Sequence, residues 1–234
     1  NYIGRFKHPK HMVTIAMCGK YNSLQDAYKS ILEAFIHAGI ENESNVQVKW
    51  IDTEELESGK IDKDYFNDVD GILIPGGFGD RGIEGKIIAS QLARENNIPF
   101  FGICLGMQCA IIDFARNECG LKDSNSREFD DQCKHPVIDL MLDQQGIESK
   151  GATMRLGAYI CKIKKDTKAF HAYGQDEIKE RHRHRFEVNN DYLPLMKENG
   201  LVISGENPEL SLVEMIEVDK HPWFVGVQFH PELK

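Results

Sequence analysis

The sequence lacks long hydrophobic runs and has no excess of basic residues. None of the apolar stretches in its 234 residues approaches the roughly 20 residues that a membrane-spanning helix needs. The formal net charge of −9 disfavours nucleic acid or an anionic membrane surface as the main partner. No secretory-signal pattern opens the sequence. We therefore expect a cytoplasmic protein that binds neither membrane nor nucleic acid.

The sequence also lacks closely spaced cysteine pairs, because none of its 6 cysteines forms a C-x-x-C motif. Such pairs are typical of structural zinc sites, and dense cysteine frameworks are typical of much shorter secreted chains. Most of the cysteines are therefore predicted to be small buried side chains in a reducing compartment. No metal site is expected from them.

Strand-like and helix-like patterns alternate along the first half of the chain. Apolar runs predict strands at 13–17, 46–51, 71–75 and 100–103. Helical patterns lie at 23–38, where Ser23 and Asp26 resemble a capping box and Gly39 follows the end, and at 82–97 and 109–117. Further strands are predicted at 154–163, 201–204, 212–218 and 224–229, with a short helix at 190–199. These patterns predict an α/β fold with a mostly parallel central sheet flanked by helices, plus an antiparallel strand extension.

Cys104 lies between Gly102 and Gly106, where a predicted strand meets a predicted helix. Glycines at i−2 and i+2 allow strand and helix to pack closely around a strained turn, as in a nucleophile elbow. The helix N-terminus there favours a thiolate. A buried cysteine in a glycine-containing loop is the alternative interpretation.

The segment 77–82 matches G-x-G-x-x-G after a predicted strand. A dinucleotide site would need an acidic residue about 20 positions on, at the end of the next strand, and Cys104 is found there instead. The Walker pattern also fails. We interpret the backbone N–H groups of residues 76–78, together with that of Leu105, as donors to an oxyanion. A plain tight turn is the alternative.

His230 and Glu232 follow the last apolar run. Pro231 favours extended geometry at His230, so that Glu232 is placed to hold its imidazole. A thiol nucleophile needs a base, and the base needs an orienting group. These residues and Cys104 therefore predict a catalytic triad, although a lone exposed histidine is usually a surface residue.

Two further charged segments are candidates for substrate recognition. The run 180–186 is a basic cluster in an acidic protein, and either recognises a substrate carboxylate or forms a solvated face. His182 and His184 lack a third metal ligand, so zinc is not predicted. Glu128 in the segment 125–129 is an acidic residue that fits an amine, with an ordinary turn as the alternative.

Several motifs together resemble one enzyme family. GICLGMQ (102–108), PGGFG (75–79) and QFHPE (228–232) are similar to class I, triad-type glutamine amidotransferases. Further motifs, in matching order, resemble those of the glutaminase domains of CTP synthases. They are GKY (19–21), DAYKS (26–30), NSREF (125–129), TMRLG (153–157), ERHRHRFEVNN (180–190) and HPWFVGVQFHPE (221–232).

The resemblance implies that Cys104 is the nucleophile, His230 the base and Glu232 its orienting group. It implies that the oxyanion and substrate site is lined by Gly77, Phe78 and Leu105. It further implies that the amino-acid end of L-glutamine is held by Gln108, Glu128 and Arg185. An unperturbed thiol is only a few per cent ionised at neutral pH, and pairing with His230 and the helix N-terminus is expected to raise that thiolate fraction.

The resemblance also implies a missing partner. Residues 1–12 are expected to be a linker from an absent synthetase domain, and 13–234 a glutamine amidotransferase domain whose C-terminal tail is truncated. No cofactor is expected in this domain. ATP, UTP and magnesium belong to the synthetase domain, which aminates UTP to CTP with ammonia from glutamine, and the full-length enzyme is expected to be a homo-oligomer.

Two positions depart from the family pattern, Ala152 and Arg127, and Arg127 adds charge beside Glu128.

Two other functions stay open at this point. One is a stand-alone thiol hydrolase acting on γ-glutamyl peptides or proteins, and the other is a catalytically silent interaction module.

Overall fold

The structure, a computed structural model, describes residues 2–20, 25–140 and 154–234. Strands and helices alternate in the first half of the chain, as the apolar runs predict. The strands are β1 (His11–Gly19), β2 (Ser44–Asp52), β3 (Gly71–Ile74) and β4 (Phe100–Ile103). The helices are α1 (Tyr2–Lys7), α2 (Lys29–Glu41), α3 (Thr53–Glu57), α4 (Ile83–Glu95) and α5 (Leu105–Asn117).

The second half is dominated by strands. They are β5 (Ser124–Ser126), β6 (His135–Leu140), β7 (Arg155–Ile163), β8 (Glu177–His184), β9 (Phe186–Val188), β10 (Leu201–Asn207), β11 (Leu212–Val218) and β12 (Phe224–Val227). Two short helices accompany them, α6 (Lys168–Tyr173) and α7 (Leu193–Glu198). The helix predicted at 190–199 is confirmed as a 3-10 turn followed by α7, and it ends before Gly200, whose φ is 99°.

Nine of these strands form one sheet in the order β2-β1-β3-β4-β12-β11-β10-β7-β8. Neighbours are parallel from β2 to β12 and antiparallel from β12 to β8. The predicted α/β fold is therefore confirmed, and the antiparallel extension continues the central sheet. A separate three-stranded sheet has the order β5-β6-β9.

The centre of the large sheet, at β3, is buried on both faces, as parallel strands commonly are. Successive side chains of β3 show this: Ile72 and Ile74 lie in one hydrophobic cluster, and Leu73 lies in another. The first cluster also contains the inner faces of α4 and α5, and the second contains Ile31 of α2. Period-2 alternation along the strand and period-3.6 patterns along the helices produce this layering.

Two segments differ from the sequence-based predictions. The helix after Cys104 begins at Leu105, four residues before its predicted start. The polar segment 54–70 contains α3, whose N-terminus is capped by the Asp52 side chain, and a 3-10 turn at Lys63–Phe66. The capping box predicted at Ser23 lies outside the described residues. Within the described ranges, no helix has the length and apolar character needed to cross a membrane.

Candidate active site

The nucleophile elbow is formed where β4 turns directly into α5. Cys104 is the N-cap of α5, with φ of 51° and ψ of −103°, a conformation that a side-chain-bearing residue rarely adopts. Its backbone N–H donates to the carbonyl oxygen of Val227 on β12 at 2.7 Å. The turn is thereby fixed between two strands, and the thiol is placed at their carboxyl ends.

The two glycines that flank Cys104 allow this turn to form. A Cβ on Gly106 would lie 2.2 Å from the carbonyl oxygen of Ile74, and a Cβ on Gly102 would lie 2.7 Å from the carbonyl carbon of Gly106. Real Cβ atoms do not approach backbone atoms so closely, so both positions require glycine. The predicted close packing of strand and helix around the elbow is confirmed.

The structure brings His230 and Glu232 to the same place. Glu232 Oε1 lies 2.8 Å from His230 Nδ1 across a 3-10 turn, rather than along the extended segment that the sequence suggested. The backbone N–H of His230 also donates to the carbonyl oxygen of Arg181 at 2.7 Å. A Cβ on Gly76 would lie 2.6 Å from His230 Cε1 and 3.5 Å from Cys104 Cβ, so these two side chains meet beside Gly76.

A pocket opens in front of Cys104, and it gathers every residue predicted to bind substrate. Its walls are formed by Gly77, Phe78, Cys104, Leu105, Gln108, Glu128, Met154, His184, Arg185 and Phe186. Concave sites with a few converging polar groups are the usual places for small ligands. The predicted substrate-binding residues and Cys104 therefore share one cavity, although they come from distant parts of the chain.

Glu128 and Arg185 give this pocket one negative and one positive group. Burial raises the pKa of the Glu128 carboxyl group, and the N–H of Gly79 and the cations Arg185, Lys20 and Lys86 act in the opposite direction. A carboxylate beside a guanidinium complements the ammonium and carboxylate groups of a free amino acid. Arg127 pairs instead with Asp139 at 3.5 Å.

Two residues predicted to supply oxyanion donors, Gly77 and Leu105, line the same pocket as the thiol. The backbone N–H of Leu105 is hydrogen-bonded to the Cys104 sulfur, and this bond lowers the pKa of the thiol. A Cβ on Gly77 would lie 3.6 Å from Leu105 Cδ2, so the loop after β3 faces the start of α5. This arrangement suits an oxyanion that forms at a carbon bonded to the sulfur.

The protonation state of Cys104 differs from the sequence-based expectation. Burial raises the pKa of its thiol to about 12, and the negative charges of Glu187, Glu232 and Glu128 add to the increase. The helix N-terminus opposes this rise through Leu105 but does not overcome it. The structure therefore contradicts the expected increase in the thiolate fraction, because burial and the nearby carboxylates favour the neutral thiol.

Sequence reasoning missed one residue that contacts the nucleophile. Gln228 Nε2 donates to Cys104 Sγ at 3.7 Å, and Gln228 Oε1 accepts from Gln108 Nε2 at 3.3 Å. Gln108 Nε2 also donates to the carbonyl oxygen of Phe186 at 2.9 Å. The available signal was the position of Gln228 two residues before His230, which puts both at the end of β12.

A buried ionic cluster lies behind the pocket wall. Arg155 contacts Glu187 at 3.3 Å and Glu214 at 2.5 Å, and His184 Nε2 lies 2.7 Å from Glu187. Burial raises the pKa of Glu214 to about 7, and Arg155 opposes that rise. In the part of the chain that the structure describes, no group of three or more His, Cys, Asp or Glu side chains is arranged to hold a metal ion.

The basic segment 180–186 combines the two interpretations that its sequence allowed. Along β8 exposed and buried residues alternate, so Arg181 and Arg183 face solvent while His182 and His184 are buried. Arg185 follows the strand and lines the pocket. One arginine is therefore placed for ligand recognition, and two others belong to a solvated face.

Comparison with known proteins agrees with this geometry. The sequence model described as "Glutamine amidotransferase class-I" matches residues 23–234. Proteins named CTP synthase from Clostridium acetobutylicum and Carboxydothermus hydrogenoformans are 58% and 57% identical over 222 and 232 residues. These alignments cover 95% and 99% of this chain but only 41% and 43% of the relatives, so the chain spans less than half of their length.

Solved structures show the same likeness. One described as the glutaminase domain of Trypanosoma brucei CTPS with bound acivicin superposes with a TM-score of 0.87 at 39% identity. The superposition covers 95% of this chain and 87% of that one. A glutamine amidotransferase from Thermotoga maritima gives a TM-score of 0.54 at 14% identity, covering 94% of this chain and 76% of that one, which shows likeness of fold alone.

Proposed function

The chain belongs to the class I glutamine amidotransferases, among the glutaminase domains of CTP synthases, and from that premise we propose that it hydrolyses L-glutamine to glutamate and ammonia through a thioester on Cys104. The observation that carries the proposal is the meeting of Cys104, which lines the pocket, with the His230–Glu232 pair beside Gly76. A nucleophile, a base and an orienting carboxylate are the parts that acyl transfer requires.

The chemistry follows from these positions. The Cys104 sulfur attacks the side-chain amide carbon of glutamine, and its proton passes to His230. The N–H groups of Gly77 and Leu105 stabilise the resulting oxyanion. His230 then gives the proton to the departing ammonia, and the carbon–nitrogen bond breaks to leave the thioester. Water, deprotonated by His230, cleaves the carbon–sulfur bond and restores the thiol.

Glu232 orients the imidazole throughout these steps. Its carboxylate accepts a hydrogen bond from Nδ1, which leaves Nε2 as the nitrogen that exchanges protons with the thiol, ammonia and water. The imidazolium formed after the first proton transfer is stabilised by the adjacent negative charge. Glu232 thus acts on the base rather than on the substrate.

Glu128, Arg185 and Gln108 give the pocket its preference for a free amino acid. Glu128 is proposed to bind the ammonium group, Arg185 the carboxylate and Gln108 the adjoining polar atoms. Phe78 and Leu105 line the side of the pocket along which the aliphatic part of glutamine lies. A γ-glutamyl peptide hydrolase would not need both charged groups, so this pair favours free glutamine.

We further propose that the ammonia is used by a synthetase domain of the same full-length enzyme, which aminates UTP to CTP. The chain spans only 41% of its Clostridium acetobutylicum relative, which leaves room for such a domain. ATP and magnesium would act there, with no cofactor in the glutaminase domain. A linker at residues 1–12, a domain at 13–234, a cytoplasmic location and a homo-oligomeric full-length enzyme belong to the same proposal.

The central experiment measures ammonia release from free glutamine by this chain and by a Cys104→Ala variant. We expect the variant to lose activity by about 10³-fold or more, because removing a nucleophile abolishes the covalent route. Cys133→Ala is the matched control, since Cys133 is a partly exposed thiol outside the pocket, and it should retain full activity. Full hydrolysis by Cys104→Ala would refute the proposal.

Two further measurements separate the alternative functions. Turnover of γ-glutamyl peptides without turnover of free glutamine would indicate the peptide hydrolase. A glutamine analogue with an electrophilic carbon in place of the amide should alkylate Cys104, as located by peptide mass. No adduct at that cysteine, together with no turnover, would indicate a silent module.

The link to CTP formation is tested in the full-length enzyme. Cys104→Ala should abolish CTP formation from glutamine, but should leave CTP formation from added ammonia intact. Loss of both activities would contradict the assignment of Cys104 to ammonia supply alone.

A further inference from the structure

Gln228 lies beside the nucleophile, at the end of the neighbouring strand, and has no role in the proposed mechanism. Val227 of β12 is paired with Ile103 of β4 in parallel register. Gln228 and Cys104 are the next residues along these two strands, so they lie side by side. The backbone N–H of Gln228 donates to the carbonyl oxygen of Glu214 at 2.8 Å, and the residue is fully buried. The sheet therefore fixes its position relative to the thiol.

A chain of hydrogen bonds determines which end of the Gln228 amide faces the thiol. The carbonyl oxygen of Phe186 can only accept, so the atom of the Gln108 amide that lies 2.9 Å from it must be Nε2. The same nitrogen lies 3.3 Å from the Gln228 amide, whose nearer atom must therefore be the acceptor Oε1. Gln228 Nε2 is then the atom that faces Cys104 Sγ, at 3.7 Å. Exchanging nitrogen and oxygen in either amide would bring two donors or two acceptors together.

The acceptor that the structure gives to this buried amide N–H is a sulfur atom. A neutral thiol is a weak acceptor, whereas hydrogen bonds to an ionised acceptor are roughly twice as strong as those between neutral groups. The bond from Gln228 therefore stabilises a charged sulfur more than it stabilises the neutral thiol. The backbone N–H of Leu105 is hydrogen-bonded to the same sulfur, so donors from two different elements converge on it.

Building on the proposed glutaminase function, we propose that Gln228 is a further catalytic residue, whose side-chain N–H stabilises the negative charge that forms on the Cys104 sulfur. This charge forms when the thiol loses its proton to His230, and again when the sulfur leaves the thioester under attack by water. The amide hydrogen stays on its nitrogen in both steps. Gln228 remains bonded to the sulfur when the Leu105 N–H turns to the oxyanion.

Two substitutions separate the donor of this amide from its acceptor. Gln228→Met keeps the length of the side chain and removes both. Gln228→Glu keeps an acceptor for Gln108 but, once ionised, offers no hydrogen to the sulfur. Gln91→Met is the matched control, because Gln91 lies outside the pocket and its amide donates to Glu95 at 2.8 Å on the surface of α4.

Alkylation of Cys104 by iodoacetamide reports on the sulfur without depending on glutamine binding. Because the thiol is mostly neutral between pH 7 and pH 10, the rate at each pH measures how easily the sulfur ionises. We expect Gln228→Met to react about tenfold more slowly throughout this range, as it would if the pKa of the thiol rose by about 1. At pH 10 Gln228→Glu should be slowed at least as much, whereas Gln91→Met should react like the unsubstituted chain.

Glutamine hydrolysis gives a second readout of the same variants. An interaction that strengthens only when the sulfur is charged contributes to the transition state and not to substrate binding. Gln228→Met should therefore lower kcat and kcat/KM for glutamine by a similar factor of about ten. A loss confined to KM would overturn the inference, because Gln228 would then act only by holding the substrate-binding residue Gln108.

Alkylation of Gln228→Met at the unsubstituted rate would also overturn it. So would a slow Gln228→Met beside a normal Gln228→Glu at pH 10, since the acceptor for Gln108 would then be the part of the amide that matters. Melting temperatures check that the variants fold, and Gln228→Glu decides the question if Gln228→Met does not. Failure of the unsubstituted chain to hydrolyse glutamine is a different result: it refutes the proposed function, whereas the alkylation rates still decide whether Gln228 acts on the sulfur.

Discussion

The surroundings of Cys104 favour the neutral form of its thiol. Burial and the carboxylates Glu187, Glu232 and Glu128 all raise its pKa, to about 12. A glutamine ammonium group bound at Glu128 would cancel part of that negative field, so substrate binding favours ionisation of the thiol. In the proposed mechanism the nucleophile is therefore activated by its own substrate, which limits side reactions of the free enzyme.

The pH dependence of alkylation tests this description of the thiol. Because only the thiolate reacts, labelling of Cys104 by iodoacetamide should be slow at pH 7 and should still increase above pH 9. An ordinary thiol, with a pKa of ~8.5, would be close to its maximal rate there. The adduct is assigned by peptide mass, with Cys104→Ala as the blank. Labelling that saturates below pH 8 would contradict the raised pKa.

Lys86 is a second residue whose environment is unusual. Its side chain is 2% exposed, and no carboxylate of the described residues lies within ion-pairing distance. Its Nζ would lie 3.8 Å from a Cβ on Gly77, so the charge is buried behind the loop that follows β3. Burial lowers the pKa of Lys86, whereas Cys109, Cys18 and Cys104 act to raise it.

Replacing Lys86 by methionine should stabilise the fold. The change keeps the volume of the side chain and removes a buried charge, so we expect a melting temperature at pH 7 that is higher by a few degrees. Because the pKa of Lys86 is lower in the folded state than in the unfolded state, burying its charge destabilises the fold at neutral pH. This destabilisation decreases as the pH rises towards 10. The stability difference between the two proteins should shrink over that range.

Thermal unfolding of both proteins between pH 7 and pH 10 measures this difference. A lower melting temperature for Lys86→Met at pH 7 would show that the ammonium group has a stabilising partner. Lys86→Arg serves as the comparison, since it retains the charge and should not be stabilised.

At the scale of the elements, the site depends on how closely β3, β4 and α5 approach one another. The elbow was predictable from sequence because two glycines at fixed spacing flank a cysteine between an apolar run and a helical pattern. The start of α5 at Leu105 was not predictable from sequence. Gly106 is a poor helix former, so the helical pattern of apolar residues becomes recognisable only further along the chain. Packing on Ile74 overrides that local preference.

Gly106→Ala tests the close approach directly. The added methyl group would lie 2.2 Å from the Ile74 carbonyl oxygen, so α5 must shift away from β3. We expect a destabilisation of about 1–3 kcal/mol and a larger loss of glutaminase activity, since the elbow carries the nucleophile. Gly4→Ala in α1 is the control, because nothing lies within 4 Å of its Cβ position, and it should change neither stability nor activity appreciably. Normal activity in Gly106→Ala would show that the elbow tolerates a wider turn.

Some of the elements that sequence reasoning missed, such as β8, have polar residues at their buried positions. β8 has the alternating burial of a strand, but its buried positions carry Glu180, His182 and His184 instead of apolar residues. Their hydrogen bonds and ion pairs with residues of other elements replace hydrophobic burial, and such partners cannot be identified from local sequence. The short strand β5, whose residues are Ser124, Asn125 and Ser126, was missed for the same reason.

At the scale of the whole molecule, strand order decides which residues meet. Cys104 and the loop after β3 belong to consecutive strands, so their proximity was predictable. The placement of β12 beside β4 was not predictable, because more than half of the chain separates these two strands. The residue pattern proposed His230 and Glu232 as partners of Cys104, and the family resemblance supported that triad, but neither gave the strand order that brings them together.

The account rests on Cys104 as the point where glutamine becomes covalently bound. Its most direct test is acid quenching of this chain during turnover of glutamine, followed by mass analysis of the peptide that contains Cys104. The account predicts a γ-glutamyl adduct on that peptide, absent from Cys104→Ala, which should also release no ammonia. Ammonia release without an adduct, and undiminished in Cys104→Ala, would contradict it.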